Sequence, residues 1–392
     1  MILLRAYPSI SDLLYDLFGV DIPLGIYSFG FFVALGFLAA TYVVWLDLKR
    51  KEKIGVFEGE KVKVVVGKPA SIQELLSNAL FGFVFGFKLI AILFNYSSCV
   101  ADPQGFLFSL EGSVWGGLAG AALAAYLRYR EKEKQKLPSP KTEIVTVYPS
   151  QRLGDIVVIA AVAGFLGAKI FNFLEVPSDF EAFLRDPGRN LFSGLTIYGG
   201  LVLGAAAVIW YARKHKIKIL QLADSVSPGL MLGYGIGRIG CHVSGDGDWG
   251  IVNTHPKPDW LSWLPDWLWS NHYAHNILGE GEKIAGCAGP YCSQLNPGVY
   301  PTPIYETIMA LIIFSILWAL RKKMPAAGML TGLYLMLNGI ERFLIELIRV
   351  NVKYDLFGLH PTQAELIAPL FFLAGAFLMW WSWKHPEKSN SL

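Results

Sequence analysis

LGIYSFGFFVALGFLAATYVVWL, residues 24–46, contains no charged side chain, and Lys49, Arg50, Lys51 and Lys53 follow it closely. At about 1.5 Å of rise per residue, a helix of this length crosses the roughly 30 Å of a bilayer's hydrocarbon core. Eight further apolar blocks extend outward from it, at 76–95, 112–128, 156–175, 193–212, 222–243, 301–320, 327–349 and 362–384. The chain has 392 residues, 53% hydrophobic and only 17% charged, where a soluble protein needs about 25% charge. The expected fold is an all-α polytopic membrane protein with about nine transmembrane helices, forming a single membrane domain over 1–392.

Every second connection is basic: 49–53, then Arg128 to Lys136, Arg213 to Lys218, Arg321 to Lys323, and Lys384 with Lys388. The positive-inside bias places these in the cytoplasm. The N-terminus is then expected in the periplasm, the C-terminus in the cytoplasm, and residues 244–300 outside as a periplasmic cap or arm. The tryptophans of that arm, Trp249, Trp260, Trp263, Trp267 and Trp269, suit a membrane–water boundary. The first twenty residues do not read as a secretory signal. A net charge of +3 sets topology and gives no reason to expect nucleic acid. Cys287 and Cys292 lie together in the outer segment, where a disulfide is one of two open readings.

Residues 54–141 read as an inserted repeat of 142–211. Both copies contain an alternating stretch ending in proline (Pro69, Pro149) and an apolar span with a lone lysine (Lys88, Lys169). Each continues with a Phe-Ser loop and a Gly-Gly-Leu helix start at Gly116 or Gly199. The alternation of Val and Ile with polar residues in 54–70 and 138–150 predicts short cytoplasmic strands.

An ionisable residue inside a span costs at least about 2.5 kcal/mol on insertion scales, so each one needs a reason. The eighth block contains Asn338, Glu341, Arg342, Glu346 and Arg349. Positions 338, 342, 346 and 349 fall on one helical face, a ladder of amide, cation, anion and cation. This reads as a polar cavity for an anionic headgroup, against a ladder that only fixes packing. The sixth block ends GYGIGRIGCHVSGDGDWG, 233–250, with Arg238 and His242 one turn apart. Gly240, Gly245, Gly247 and Gly250 open its outer end around Asp246 and Asp248. A guanidinium in an apolar span wants a carboxylate or phosphate. The two aspartates lack EF-hand spacing, so no metal and no cofactor is expected. Tyr198, with Gly199 and Gly200, sits at a helix start that favours anions. Glu306 opens the seventh block and Tyr27 the first.

These stretches resemble one family, the prolipoprotein diacylglyceryl transferases. GRIGCHVSGDGDWG is similar to its signature segment, YPTPIYE (300–306) to its Tyr-Glu element, and NGIERFLIELIRVNVKYD (338–355) to its Arg-Phe…Glu…Arg element. LTIYGGLVLG (195–204) is similar to its His-Gly-Gly-Leu element. The resemblance implies a seven-helix core plus an inserted pair in the bacterial inner membrane. The implied reaction moves the diacylglyceryl group of phosphatidylglycerol to the lipobox cysteine of a preprolipoprotein, forming a thioether. It implies Arg238, Arg342 and Glu346 as catalytic, with Tyr198 at the histidine position as a hydrogen-bond donor; placement alone, one turn after Arg238, adds His242 to the catalytic set. Tyr27, Gly199, Gly200, Gly240, Asp246, Asp248, Gly250, Glu306, Asn338 and Arg349 would line the substrate site. Tyr198 stands where the family has histidine, and His242 is then the expected base. Cys241 stands where it has asparagine. The rival reading is a transporter or channel for an anionic solute, since repeats and Gly-broken helices also mark those proteins.

Overall fold

The computed structural model describes residues 5–20, 26–96, 106, 109–191, 193–350, 355 and 361–386. Residues 24 and 25 of the first apolar block, 351–354 of the last motif and Lys388 lie outside the described residues. In chain order the elements are α1 (Ile10–Phe18), α2 (Ser28–Lys53), β1 (Glu60–Val66), α3 (Ile72–Phe94), α4 (Val114–Lys134) and β2 (Lys141–Val147). Next come α5 (Leu153–Glu175), α6 (Pro177–Arg185), α7 (Ile197–Lys214), α8 (Ile219–Ser244), β3 (Glu282–Lys283) and β4 (Ser293–Gln294). The last three are α9 (Thr302–Leu320), α10 (Met329–Glu346) and α11 (Gln363–Lys384).

Each of the nine apolar blocks coincides with one long helix. Among the described residues, five helices are long and apolar enough to cross a membrane: Ser28–Lys53, Ile72–Phe94, Pro149–Glu175, Thr302–Leu320 and Gln363–Lys384. The chain is therefore a multi-pass membrane protein. The other four long helices are the polar ones. α8 contains Asp224 and Arg238, α10 contains Glu341, Arg342 and Glu346, and α4 and α7 end in charged runs.

Contacts divide the chain into two compact units, Met1–Phe57 with Ile217–Leu392, and Glu58–Lys216. In the first unit, small residues bring helix backbones together, as expected where lipid gives no hydrophobic drive to association. A Cβ on Gly36 of α2 would stand 2.8 Å from the Gly233 carbonyl of α8, and one on Gly235 would stand 3.1 Å from Ala310 of α9. On Gly339 of α10 it would lie 2.7 Å from the Ala368 carbonyl of α11. Met231, Ala310, Ile313, Leu317 and Leu330 form a buried cluster where α8, α9 and α10 meet. At the opposite end of α8 from Arg238, Asp224 accepts from the Gly328 and Thr331 amides, both at 2.8 Å. A carboxylate from another helix thus satisfies free N–H groups at the start of α10.

The arm after α8 is laid down by backbone pairing. Gly250 N donates to Tyr300 O at 2.8 Å, Ile251 N to Ile348 O at 2.9 Å, and Asn271 exchanges bonds with Val299. β3 and β4 form a short antiparallel ladder. Cys287 and Cys292 are disulfide-bonded beside it, which settles the pairing that spacing left open.

In the second unit, α3 packs on α4 and α5 on α7, and each pair repeats the same devices. Lys88 Nζ donates to the carbonyls of Phe106 (2.6 Å), Ser109 (2.7 Å) and Glu111 (2.8 Å). Lys169 Nζ donates to Asn190 (2.7 Å) and Ser193 (2.6 Å). Each lone lysine therefore closes the loop of its own hairpin. Gly116 faces Gly86 in one hairpin as Gly199 faces Gly167 in the other. β1 and β2, the two expected strands, pair antiparallel with Lys63 opposite Ile144. Lys63 and Ile144 are 81 positions apart, as are Lys88 and Lys169, so the ladder is centred on equivalent residues of the two copies.

Candidate active site

The C-terminal half of α8 carries Tyr234, then Arg238, then Cys241 and His242 on three successive turns. Arg238 is buried. Its Nε donates to Glu306 Oε2 of α9 at 2.6 Å, and its other arm is ion-paired with Asp248 Oδ2. Asp248 follows α8 after a left-handed Gly245 and a second positive-φ glycine, Gly247, which turn the chain back over the helix end. Its carbonyl accepts from Thr302 Oγ1 at 2.8 Å.

Arg349, just past α10, pairs with the other oxygen of Asp248 and lies 3.6 Å from Glu306 Oε1. The result is a ring of two guanidinium groups and two carboxylates, assembled from α8, its following loop, α9 and the end of α10. Burial pushes the Asp248 carboxyl up, but Arg238 and then Arg349 outweigh it and hold it below the usual carboxylate range. Asp246 has no cation in contact, and burial, with the Asp248 charge beside it, raises its carboxyl. Cys241, Asp246 and Asp248 bring donor atoms within 4.8 Å of one another, but two arginines already engage Asp248.

Arg342 is held more loosely. Its side chain is 25% exposed, and its ion pair with Glu346 is 3.8 Å long. A guanidinium with five donors and, among the described residues, one long ion pair is the group best placed to accept an incoming anion.

The other expected site residues make contacts of their own, and Gly250 bridges Arg349 through the backbone. His242 is buried against the Tyr273 and Trp267 rings, and its Nδ1 is 2.9 Å from the Tyr273 hydroxyl. That cage, and not the ion ring, is where the expected base sits. Gly240 packs on α2, where a Cβ would be 2.9 Å from that of Phe32, and Gly250 lets its strand lie beside Thr302 and Ile348. Asn338 donates to Met231 Sδ at 3.6 Å. Tyr27 is the exposed N-cap of α2. Tyr198, Gly199 and Gly200 begin α7 in the second unit; a Cβ on Gly200 would stand 3.1 Å from the Gly164 carbonyl, so the glycine pair serves helix packing.

Two residues at the ring were not among the expected site residues. Tyr234 donates its hydroxyl to Glu306 Oε2 and stands 3.4 Å from Glu341 Oε1, while Arg238 lies over its ring. The signals were present: Tyr234 is four residues before Arg238, and Glu341 is one of two acids in its apolar block.

The family model for prolipoprotein diacylglyceryl transferase matches residues 139–381. Several curated phosphatidylglycerol–prolipoprotein diacylglyceryl transferases are similar to the chain. That of Xylella fastidiosa (strain 9a5c) is 27% identical over 246 residues, 59% of this chain and 78% of the relative. That of Aeromonas salmonicida (strain A449) is 26% identical over 298 residues, 73% and 92% respectively. That of Leptospira interrogans serovar copenhageni is 25% identical over 344 residues, 73% and 95%. The matched region takes in Arg238, Asp248, Glu306, Arg342 and Arg349, and begins after the first hairpin of the second unit. With the ion ring and most of its sequence inside that match, the chain belongs to the prolipoprotein diacylglyceryl transferase family.

Proposed function

We propose that this chain transfers the diacylglyceryl group of phosphatidylglycerol to the lipobox cysteine thiol of a preprolipoprotein, in the bacterial inner membrane. The thiol sulfur attacks the glyceryl carbon attached to phosphate. An S–C bond forms, the C–O bond breaks, and its electron pair leaves on glycerol phosphate. The thiol proton ends on the phosphate or in water.

One observation carries the assignment of roles: a buried arginine, Arg238, and two half-buried ones, Arg342 and Arg349, converge at the ends of α8 and α10, with Arg342 least saturated. Arg342 takes the phosphate first, with Glu346 orienting it. Arg238 and Arg349 stabilise charge as it grows on the leaving oxygen, where fixed donors act most strongly in a water-poor site. Asp248 and Glu306 hold those two cations in place until substrate competes for them. All nine long helices cross the bilayer, the N-terminus is periplasmic and the C-terminus cytoplasmic, and the 244–300 arm caps the site from the periplasm.

The test is transfer of radiolabel from phosphatidylglycerol to a lipobox peptide in detergent, for wild type, Arg342→Ala and Arg238→Lys. Wild type should transfer. Each variant should lose at least about 100-fold, the scale for removing one transition-state donor. Full activity in Arg238→Lys would show that no planar, forked cation is needed there.

A further inference from the structure

Among the acids around the ring, Glu341 stands apart. Asp248 and Glu306 each touch two arginines, and Glu346 has Arg342. Glu341 is only 2% exposed, and its Oε2 meets no hydrogen-bond partner. Its one close polar contact among the described residues is Oε1 to the Tyr234 hydroxyl at 3.4 Å. The charged and titratable groups facing it are Glu306 from α9, Tyr234 and Arg238 from α8, and Arg342 on its own helix.

Donor counting fixes the chemistry of this corner. Tyr234 has one hydroxyl proton and gives it to Glu306 Oε2. Two carboxylates on one hydroxyl would leave the second repelled from its lone pairs, so a proton has to lie between Glu341 and the Tyr234 oxygen. Charge counting agrees. Arg238 and Arg349 are matched by Asp248 and Glu306, and Arg342 by Glu346, which leaves the buried Glu341 with no cation in contact among the described residues. A proton on Glu341 removes the cost of that unpaired buried charge.

We propose that Tyr234 and Glu341 are a positioning pair that supplies a proton to the active site through Glu306. This inference rests on the transferase reading. As the C–O bond breaks, the Tyr234 hydroxyl proton passes to the Glu306 carboxylate that accepts from it, and Glu306 hands a proton on to the leaving phosphate oxygen. Tyr234 takes the proton of Glu341 in its place. The substrate thiol proton returns along the same path, so one proton moves in net from sulfur to phosphate. No bulk water need enter the ring.

The test uses the full chain with radiolabelled phosphatidylglycerol and a lipobox peptide. Glu341→Gln keeps the shape and a donor to Tyr234 but has no acidic proton. It should lower kcat about 100-fold, within the usual range for acid–base catalysis, with KM for phosphatidylglycerol within about twofold. It should also flatten one limb of the pH–rate profile, and Glu341→Asp should restore part of both. Wild-type kcat and pH profile in Glu341→Gln would overturn the proposal. Should that variant fail to fold, Tyr234→Phe, which keeps the ring under Arg238, must show the same kcat loss, and wild-type kcat there would likewise overturn it. Infrared spectra of the full chain should contain a protonated-carboxyl band that shifts in Glu341→Asp. A spectrum that does not change overturns the proton's placement. Because that readout needs no turnover, an inactive wild type would count against the transferase reading alone.

Discussion

Two aspartates, two residues apart, answer opposite electrostatic demands. Asp248 has Arg238 and Arg349, so its carboxyl sits below the ordinary value of about 3.9. Its stabilising contribution is complete above that value and is lost as pH falls through the lowered one. Asp246 is half-buried with no cation in contact among the described residues, and desolvation, with the Asp248 charge beside it, sets its carboxyl above the ordinary value. Its ionisation therefore opposes folding, increasingly as pH rises from about 3.9 through the raised value. At pH 7, Asp248→Asn should lower the unfolding temperature in detergent by several degrees, whereas Asp246→Asn should raise it slightly. Two variants moving in the same direction would show that the arginines do not distinguish the two acids. His242 belongs to the same scale. Enclosed by Tyr273 and Trp267, it should act in packing, so His242→Phe should keep transfer within about threefold while His242→Ala lowers thermal stability. A hundredfold loss of kcat in the well-folded Phe variant would restore it as a base. Sequence could place Arg238, Glu306 and Arg349 at a polar site because charge in an apolar span always needs a partner. It could not say which partner each would choose: of the two residues one turn from Arg238, His242 meets the Tyr273 hydroxyl and Tyr234 meets Glu306.

Helix positions were legible in the sequence because a bilayer fixes element length, and all nine apolar blocks hold a long helix. Which glycines are packed was not legible, since closeness depends on a neighbour remote in sequence. Gly36 and Gly237 show the difference. A Cβ on Gly36 would lie 2.8 Å from a carbonyl of α8, whereas one on Gly237 meets nothing within 4 Å. Gly36→Ala should therefore separate α2 from α8 and lower the unfolding temperature. Gly237→Ala should be neutral, or should stabilise α8 by up to about 1 kcal/mol through helix propensity. Equal effects of the two substitutions on thermal unfolding in detergent would mean that close helix approach does not hold these elements. The short strands were legible by their alternation, yet their pairing was not. β1 and β2 are joined across two intervening helices, and only the repeat hinted that one would meet the other.

At the scale of the whole molecule, the first hairpin is the part that lies outside the family match. The family match starts at residue 139, and every member of the ion ring lies beyond residue 217. We read residues 54–141 as a duplicate of the hairpin that follows, retained for structure. The strand register makes this testable without leaving a loose end. Val66 pairs with Lys141, so removing residues 69–138 joins β1 to β2 through Gly67, Lys68, Ser139 and Pro140. Four-residue loops are common in hairpins, and the ladder keeps its partner strand. The deletion also removes two membrane crossings, an even number, so the sidedness of everything downstream should be unchanged. The shortened chain should insert and transfer label at no less than about a tenth of the wild-type rate. After mild reduction, Cys287 and Cys292 should react with a membrane-impermeant maleimide in spheroplasts of both proteins. Loss of labelling in the shortened chain alone would mean that α3 and α4 do not both cross. Retained labelling with transfer abolished would mean that the first hairpin contributes to the reaction.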